Sequence, residues 1–158
     1  MYDIGQCVTH PMHGAGTISG MVEQRPGGQV KWYYVLTLMR GGLQLYIPCD
    51  GCEKAGIRPV ISLQEAEDLL QSFAALETDL NGNWNQRYRE NMERLKSGQP
   101  QQVAVVIKSL LRRGTQKDLS TGERKMLNTA LQILASEISL VSGRDYGEVE
   151  ACLRADLT

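Results

Sequence analysis

RPVISLQEAEDLLQ, residues 58–71, changes its repeat partway through. Up to Ile61 the chain reads as strand and turn; from Ser62 it reads as helix. Ser62-Leu63-Gln64-Glu65 has the spacing of a capping box, in which the serine side chain takes the N3 amide and the glutamate reaches back to the N-cap amide. Leu63, Ala66, Leu69, Leu70 and Phe73 then recur on one helical face, which predicts a helix through about Leu76. The same break divides the composition. Residues 1–60 are rich in Gly, Pro, β-branched and aromatic residues, whereas residues 62–157 contain one proline, Pro100. Two domains are expected, 1–60 and 61–158.

Upstream of the break, QCVTH, GTISGMVEQ, VKWYYVLTL and LQLYIP read as short strands. Pro11 to Gly14, Pro26-Gly27-Gly28 and Gly41-Gly42 supply the turns between them. The expectation is a small antiparallel barrel or curled sheet of SH3-like or Tudor-like type. About sixty residues closed on themselves leave little room for a ligand cavity, which favours an interaction module over an enzyme. Downstream, the polar TDLNGN ends the first helix, and a second runs from about Asn83 to Lys96, stopped at Ser97-Gly98. Pro100 suits the first turn of a third, in which Val103, Val106, Ile107, Leu110 and Leu111 repeat until Arg112-Arg113-Gly114. Ser120-Thr121-Gly122-Glu123 is a second capping box opening the longest helix, with Leu127, Ala130, Leu131, Leu134 and Ile138 inward. Asp145 to Leu157 forms the last. The fold class is therefore α+β: an N-terminal antiparallel β domain followed by a compact all-α bundle of five helices.

Several functional classes fall away. With 158 residues and 42% hydrophobic content the chain can pack a core. It has no apolar run long enough to span a bilayer, and MYDIGQCVTH lacks the basic head and apolar core of a secretory signal. A cytoplasmic protein with no membrane partner is expected. There is no Gly-rich phosphate loop, GxSxG or HExxH, and His10 and His13 sit in a turn with no carboxylate at a catalytic spacing. No enzyme activity, cofactor, metal or small-molecule substrate is expected. Cys49-Asp50-Gly51-Cys52 has the CxxC spacing of a zinc knuckle or redox pair, but Cys7, His10, His13 and Cys152 complete no second ligand pair. Reduced thiols in a loop are the simpler reading.

Charge is uneven. Residues 84–125 hold ten Lys or Arg against four Asp or Glu, whereas residues 1–83 hold five against nine. A basic middle behind an acidic front fits one part meeting a polyanion and the other meeting something else, although a solvated helix face has the same signature. Within the basic part lies Trp84. Trp84, Tyr88 and Leu95 fall on one helix face, so periodicity alone makes the tryptophan core. Arg112 and Arg113 close a helix, where the macrodipole favours cations without any ligand. Arg124 and Lys125 open one, where it disfavours them.

NWNQRYRENMERLKSGQPQQVAVVIKSLLRR, residues 83–113, and LSTGERKMLNTALQILASEISL, residues 119–140, resemble the C-terminal helical domain of the CarD/CdnL family of bacterial transcription regulators. HPMHGAGTI, KWYYVLTL and GGLQLYIP are similar to that family's Tudor-like domain, shared with the transcription-repair coupling factor. The resemblance implies docking of the N-terminal domain on the β subunit of bacterial RNA polymerase. It also implies contact between the helical domain and promoter DNA at the upstream edge of the transcription bubble, stabilising the open complex. It makes Trp84 a minor-groove wedge, supported by Arg87 and Arg89, with Arg112, Arg113, Arg124 and Lys125 as further DNA-facing cations. On the polymerase side it points to Gln24 and Tyr46, where the family often has arginines. Arg25, one residue along from Gln24, is the candidate substitute. The strand Leu45, Tyr46, Ile47 and Pro48 is then available for main-chain pairing. The rival reading is a protein-only interaction module in which the basic helices serve solubility.

Overall fold

A computed structural model describes residues 1–78 and 83–155. The first part is a five-stranded antiparallel sheet of β1 (Cys7–His10), β2 (Gly14–Gln24), β3 (Lys31–Leu38), β4 (Gln44–Pro48) and β5 (Arg58–Pro59) in the order β4-β3-β2-β1-β5. Alternation along β3 decides its faces: Tyr34, Leu36 and Leu38 are buried with Val8, Ile18 and Ile47 in one small core. The register between β2 and β3 slips between Ile18 and Gly20, a bulge that bends the sheet. β5 has no counterpart in the strand pattern of the sequence. It is two residues long, contains a proline, and exists because Val8 and Thr9 offer it an edge. β2 also begins earlier than the sequence pattern suggests, at Gly14, leaving a shorter turn after His10.

The second part holds α1 (Leu63–Ser72), followed by a short 3-10 turn to Ala75, α2 (Trp84–Lys96), α3 (Pro100–Gln116), α4 (Thr121–Ser142) and α5 (Tyr146–Ala155). Both capping boxes form. Ser62 Oγ accepts from Glu65 N and Ser120 Oγ from Glu123 N, and each glutamate returns a bond to the cap. Gly98 and Gly143 take positive φ at the ends of α2 and α4, where a side chain would be strained. Ala66, Leu69, Leu95, Val106, Ile107, Leu131, Leu134 and Ile138 share a single helical core. Two expectations are corrected. Leu63 is 48% exposed, because the α1 stripe is carried by Ala66, Leu69 and Phe73. Gly114 does not end α3, which continues to Gln116 and closes with Lys117 N bonded to Arg113 O. Most of the expected TDLNGN loop and the end of the last helix lie outside the described residues.

A polar seam along α4 joins the two cores. Glu137, fully buried, accepts from Arg58 Nη1 at 2.6 Å, Arg58 Nη2 at 2.8 Å and Ile61 N at 2.9 Å. Arg58 Nε donates onward to Gly98 O at 2.7 Å, so one guanidinium ties β5, the α2–α3 turn and α4 together. At the adjacent position Ala15 N donates to Ser136 Oγ at 2.9 Å, and further along α4 Gln132 Nε2 donates to His13 O at 3.3 Å. Gly14 makes this approach possible. A Cβ there would lie 2.4 Å from Ser136 Oγ. On the far side, Arg40 of the β3–β4 turn lies over the Tyr146 ring, 4.0 Å from its centre.

Candidate nucleic-acid interface

Connectivity gathers the basic residues at one end of the bundle. Residues 97–99 reverse the chain from α2 into α3, and residues 117–120 reverse it again into α4. α3 packs against both neighbours, so the start of α2, the end of α3 and the start of α4 meet. Asn83 Oδ1 caps α2 by accepting from Gln86 N at 2.8 Å, which puts Trp84 at the first helical position. Its side chain leaves the helix where the bundle ends.

Trp84 is 40% exposed, and its ring stacks on Tyr88 with centroids 4.9 Å apart and planes 17° from parallel. Tyr88 packs on Gly122 of α4, where a methyl group would touch its ring at 3.4 Å. Leu95 is fully buried. The three residues that periodicity places on one face thus grade from core through support to surface.

The cations divide in the same way. Arg89, Arg124 and Lys125 are exposed. Arg87 is half-buried. Arg112 Nη1 donates to Thr78 Oγ1 at 3.0 Å, which ties α3 to the segment before α2, and Arg113 Nε is buried without a partner among the described residues. Exposure therefore favours Arg89, Arg124 and Lys125 as ligand-facing groups, with Arg112 engaged in holding the bundle. At the start of α4 the Glu123 carboxylate of the capping box offsets the helix dipole, which makes two adjacent cations tolerable there.

In the sheet, β4 is an edge strand. Leu43 O accepts from Leu38 N and Cys49 N donates to Trp32 O, so the odd-numbered residues of this segment face β3. The main-chain groups of Gln44, Tyr46 and Pro48 point to the open side, Pro48 with a carbonyl only. Tyr46 is 55% exposed, whereas Leu45 is half-buried and Ile47 is core, so their side chains turn inward. Gln24 and Arg25 lie exposed at the end of β2, and Arg25 Nε pairs with Glu23 Oε1 at 3.2 Å on the surface.

All four cysteines are free thiols. Burial pushes the Cys49 thiol up, helped by the nearby Cys52 and Asp50, which works against a reactive thiolate. His10 and His13 pack ring against ring at 4.7 Å, and burial, with His13 beside it, lowers His10 to about 4. Among the described residues no group of three or more His, Cys, Asp or Glu converges as a metal site, and no helix is long and apolar enough to cross a membrane. The sequence pattern did not single out Tyr88 as a platform, nor Gly122 beneath it. A tyrosine four residues from a tryptophan was the available signal; the glycine had none.

Two family models cover most of the chain. Residues 2–61 match the CarD-like/TRCF RID domain, and residues 68–154 match the CarD C-terminal domain. A Bacillus subtilis (strain 168) protein named "Putative transcription factor YdeB" is 32% identical over 143 residues, 90% of this chain and 94% of that protein.

Proposed function

The chain belongs to the CarD-like family of transcription regulators, and from that membership we propose that it docks on the β subunit of RNA polymerase and stabilises the open promoter complex. Residues 1–60 are the docking module and residues 61–158 the DNA-contacting one. The open edge of β4 adds to the partner's sheet through Gln44, Tyr46 and Pro48, with the exposed Tyr46 side chain and Arg25 flanking it. In the helical part Trp84 enters the minor groove at the upstream border of the bubble, while Arg89, Arg124 and Lys125 meet phosphates.

The observation that carries this reading is the exposed Trp84 ring, braced by Tyr88 among solvent-facing cations at one end of the bundle. An indole joins a broad apolar face to an N–H donor that reaches a groove acceptor. Its contact exists only where base pairs are already disturbed. It therefore favours the open complex over the closed one rather than binding both alike. At about 1–3 kcal/mol for an aromatic–base contact, Trp84→Ala should shorten the open-complex lifetime roughly five- to a hundred-fold. The test challenges preformed open complexes with competitor, alongside thermal melting and polymerase co-elution. A variant that melts and co-elutes normally yet sustains wild-type lifetimes would refute the assignment. The protein-only alternative predicts that outcome.

A further inference from the structure

Resting on the DNA-facing reading above, we propose that the groove between α2 and the start of α4 receives a single nucleobase that has left the duplex stack beside Trp84. The groove has a volume of about 260 Å³ and is lined by Met12, Tyr88, Met92, Lys125, Met126 and Thr129, over a floor that includes Gly122. Tyr88 belongs to both features: it is the platform under Trp84 and a wall of the groove.

The lining chemistry selects the occupant. Three of the chain's six methionines meet here, one from the β1–β2 turn, one from α2 and one from α4. Thioethers on unbranched stems adapt to a flat guest and make favourable contacts with aromatic rings, without demanding one outline. Tyr88 adds an aromatic wall, Thr129 a hydroxyl for a ring edge, and Lys125 an ammonium at the mouth beside the exposed Arg124. An aromatic ring carried on an anion is the guest that satisfies all of these, and a nucleotide is such a guest. The volume suits one planar heterocycle and is too small for a folded peptide segment.

Energetics restrict when it is filled. Turning a base out of an intact duplex is costly, least so where pairing is already lost, so the groove collects bases at a melted edge and leaves paired DNA alone. Stacking is indifferent to base identity, so the groove demands no particular base at the melted edge. Met12 comes from the β1–β2 turn and the rest from helices, so the groove depends on the bonds that hold that turn to α4, Ala15 N to Ser136 Oγ and Gln132 Nε2 to His13 O.

The experiment uses the full chain with its methionine methyl groups labelled with carbon-13, titrated with a short DNA fork carrying an unpaired base and with the fully paired duplex. With the fork, the Met12, Met92 and Met126 signals should move upfield, as beneath an aromatic ring, while the exposed Met1, Met21 and Met39 stay still. The paired duplex should leave all six in place. Met12→Glu, at a position 39% exposed, should lose the preference for the fork, and Met12→Leu should keep it. Methyl groups that ignore the fork, or respond equally to paired DNA, overturn the proposal. So do shifts that follow protein concentration alone, which would mean a second copy, or that follow polymerase without DNA, which would mean a partner segment. If the methyl groups are silent while Trp84→Ala still shortens open-complex lifetime, the groove assignment fails alone. If neither responds, the wider reading fails with it.

Discussion

Arg58→Ala should loosen the molecule at its middle. Glu137 is fully buried in α4, and its carboxylate depends on two guanidinium N–H groups at 2.6 and 2.8 Å and one backbone amide at 2.9 Å. Truncating the arginine removes two of the three bonds, and with them the only cation paired to that carboxylate among the described residues. Breaking a buried pair from one side costs about 3–5 kcal/mol. The Arg58 side chain is 23% exposed, and water on that side places the loss toward the lower end. For a chain of this size each kcal/mol lowers the melting temperature by about 2–4 °C, so a fall of roughly 6–12 °C is expected. The double variant Arg58→Met with Glu137→Met should recover most of it, since replacing both charges with apolar groups of similar volume is often neutral or better. Thermal and urea melts of the two variants decide the matter. A single variant losing less than about 1 kcal/mol, or a double variant no better than the single, would refute the account of the seam.

Gly14→Ala should cost about 2–4 kcal/mol in urea unfolding, through a side chain at φ +88° and a methyl group pushed onto Ser136 Oγ. Stability should also fall as pH drops from about 6.5 toward 4. His10 stays neutral in the fold down to about 4, while in the unfolded chain it takes up a proton near its ordinary value, so acid favours unfolding across that window. The loss is of order 1–2 kcal/mol, solvent on the open side of the ring screening the rest, and His10→Asn should flatten this part of the profile. Replacing Arg124 and Lys125 together by alanine should leave the melt unchanged. It should lower the slope of log affinity against log salt for duplex DNA by about 1.8, at about 0.9 per lost phosphate contact. An unchanged slope would remove both from the interface.

Legibility in the sequence followed the range of each interaction. Ser62 with Glu65 and Ser120 with Glu123 are caps closed within three residues, so spacing alone predicts them, and those two helix starts fall where they should. The exposure of Tyr46 between the inward Leu45 and Ile47 likewise follows from alternation along β4, although the resemblance pointed to all three. Arg58 and Glu137 are 79 residues apart. Within ILASEISL a glutamate reads as a solvated position, and only the approach of β5 turns it into a buried one. The candidate site shows the same limit. Trp84 and the cations could be picked out by residue type, but the division between the exposed Arg124 and Lys125 and the engaged Arg112 depends on Thr78, which lies in a segment with no periodic pattern.

The stack of Trp84 on Tyr88 has a kinetic consequence. A side chain that must be immobilised when a partner arrives gives up about 0.5–1.5 kcal/mol of rotamer freedom, and the contact is weaker by that amount. Here the ring already lies nearly parallel to its neighbour at the first position of a capped helix, so little of that freedom is left to lose. If Trp84 is the proposed wedge, a ring held in this way resists being displaced by a strand trying to re-pair. On the function proposed above, closing the bubble would then wait for the whole protein to leave, and the lifetime of melted DNA would be tied to how long the regulator stays on the polymerase.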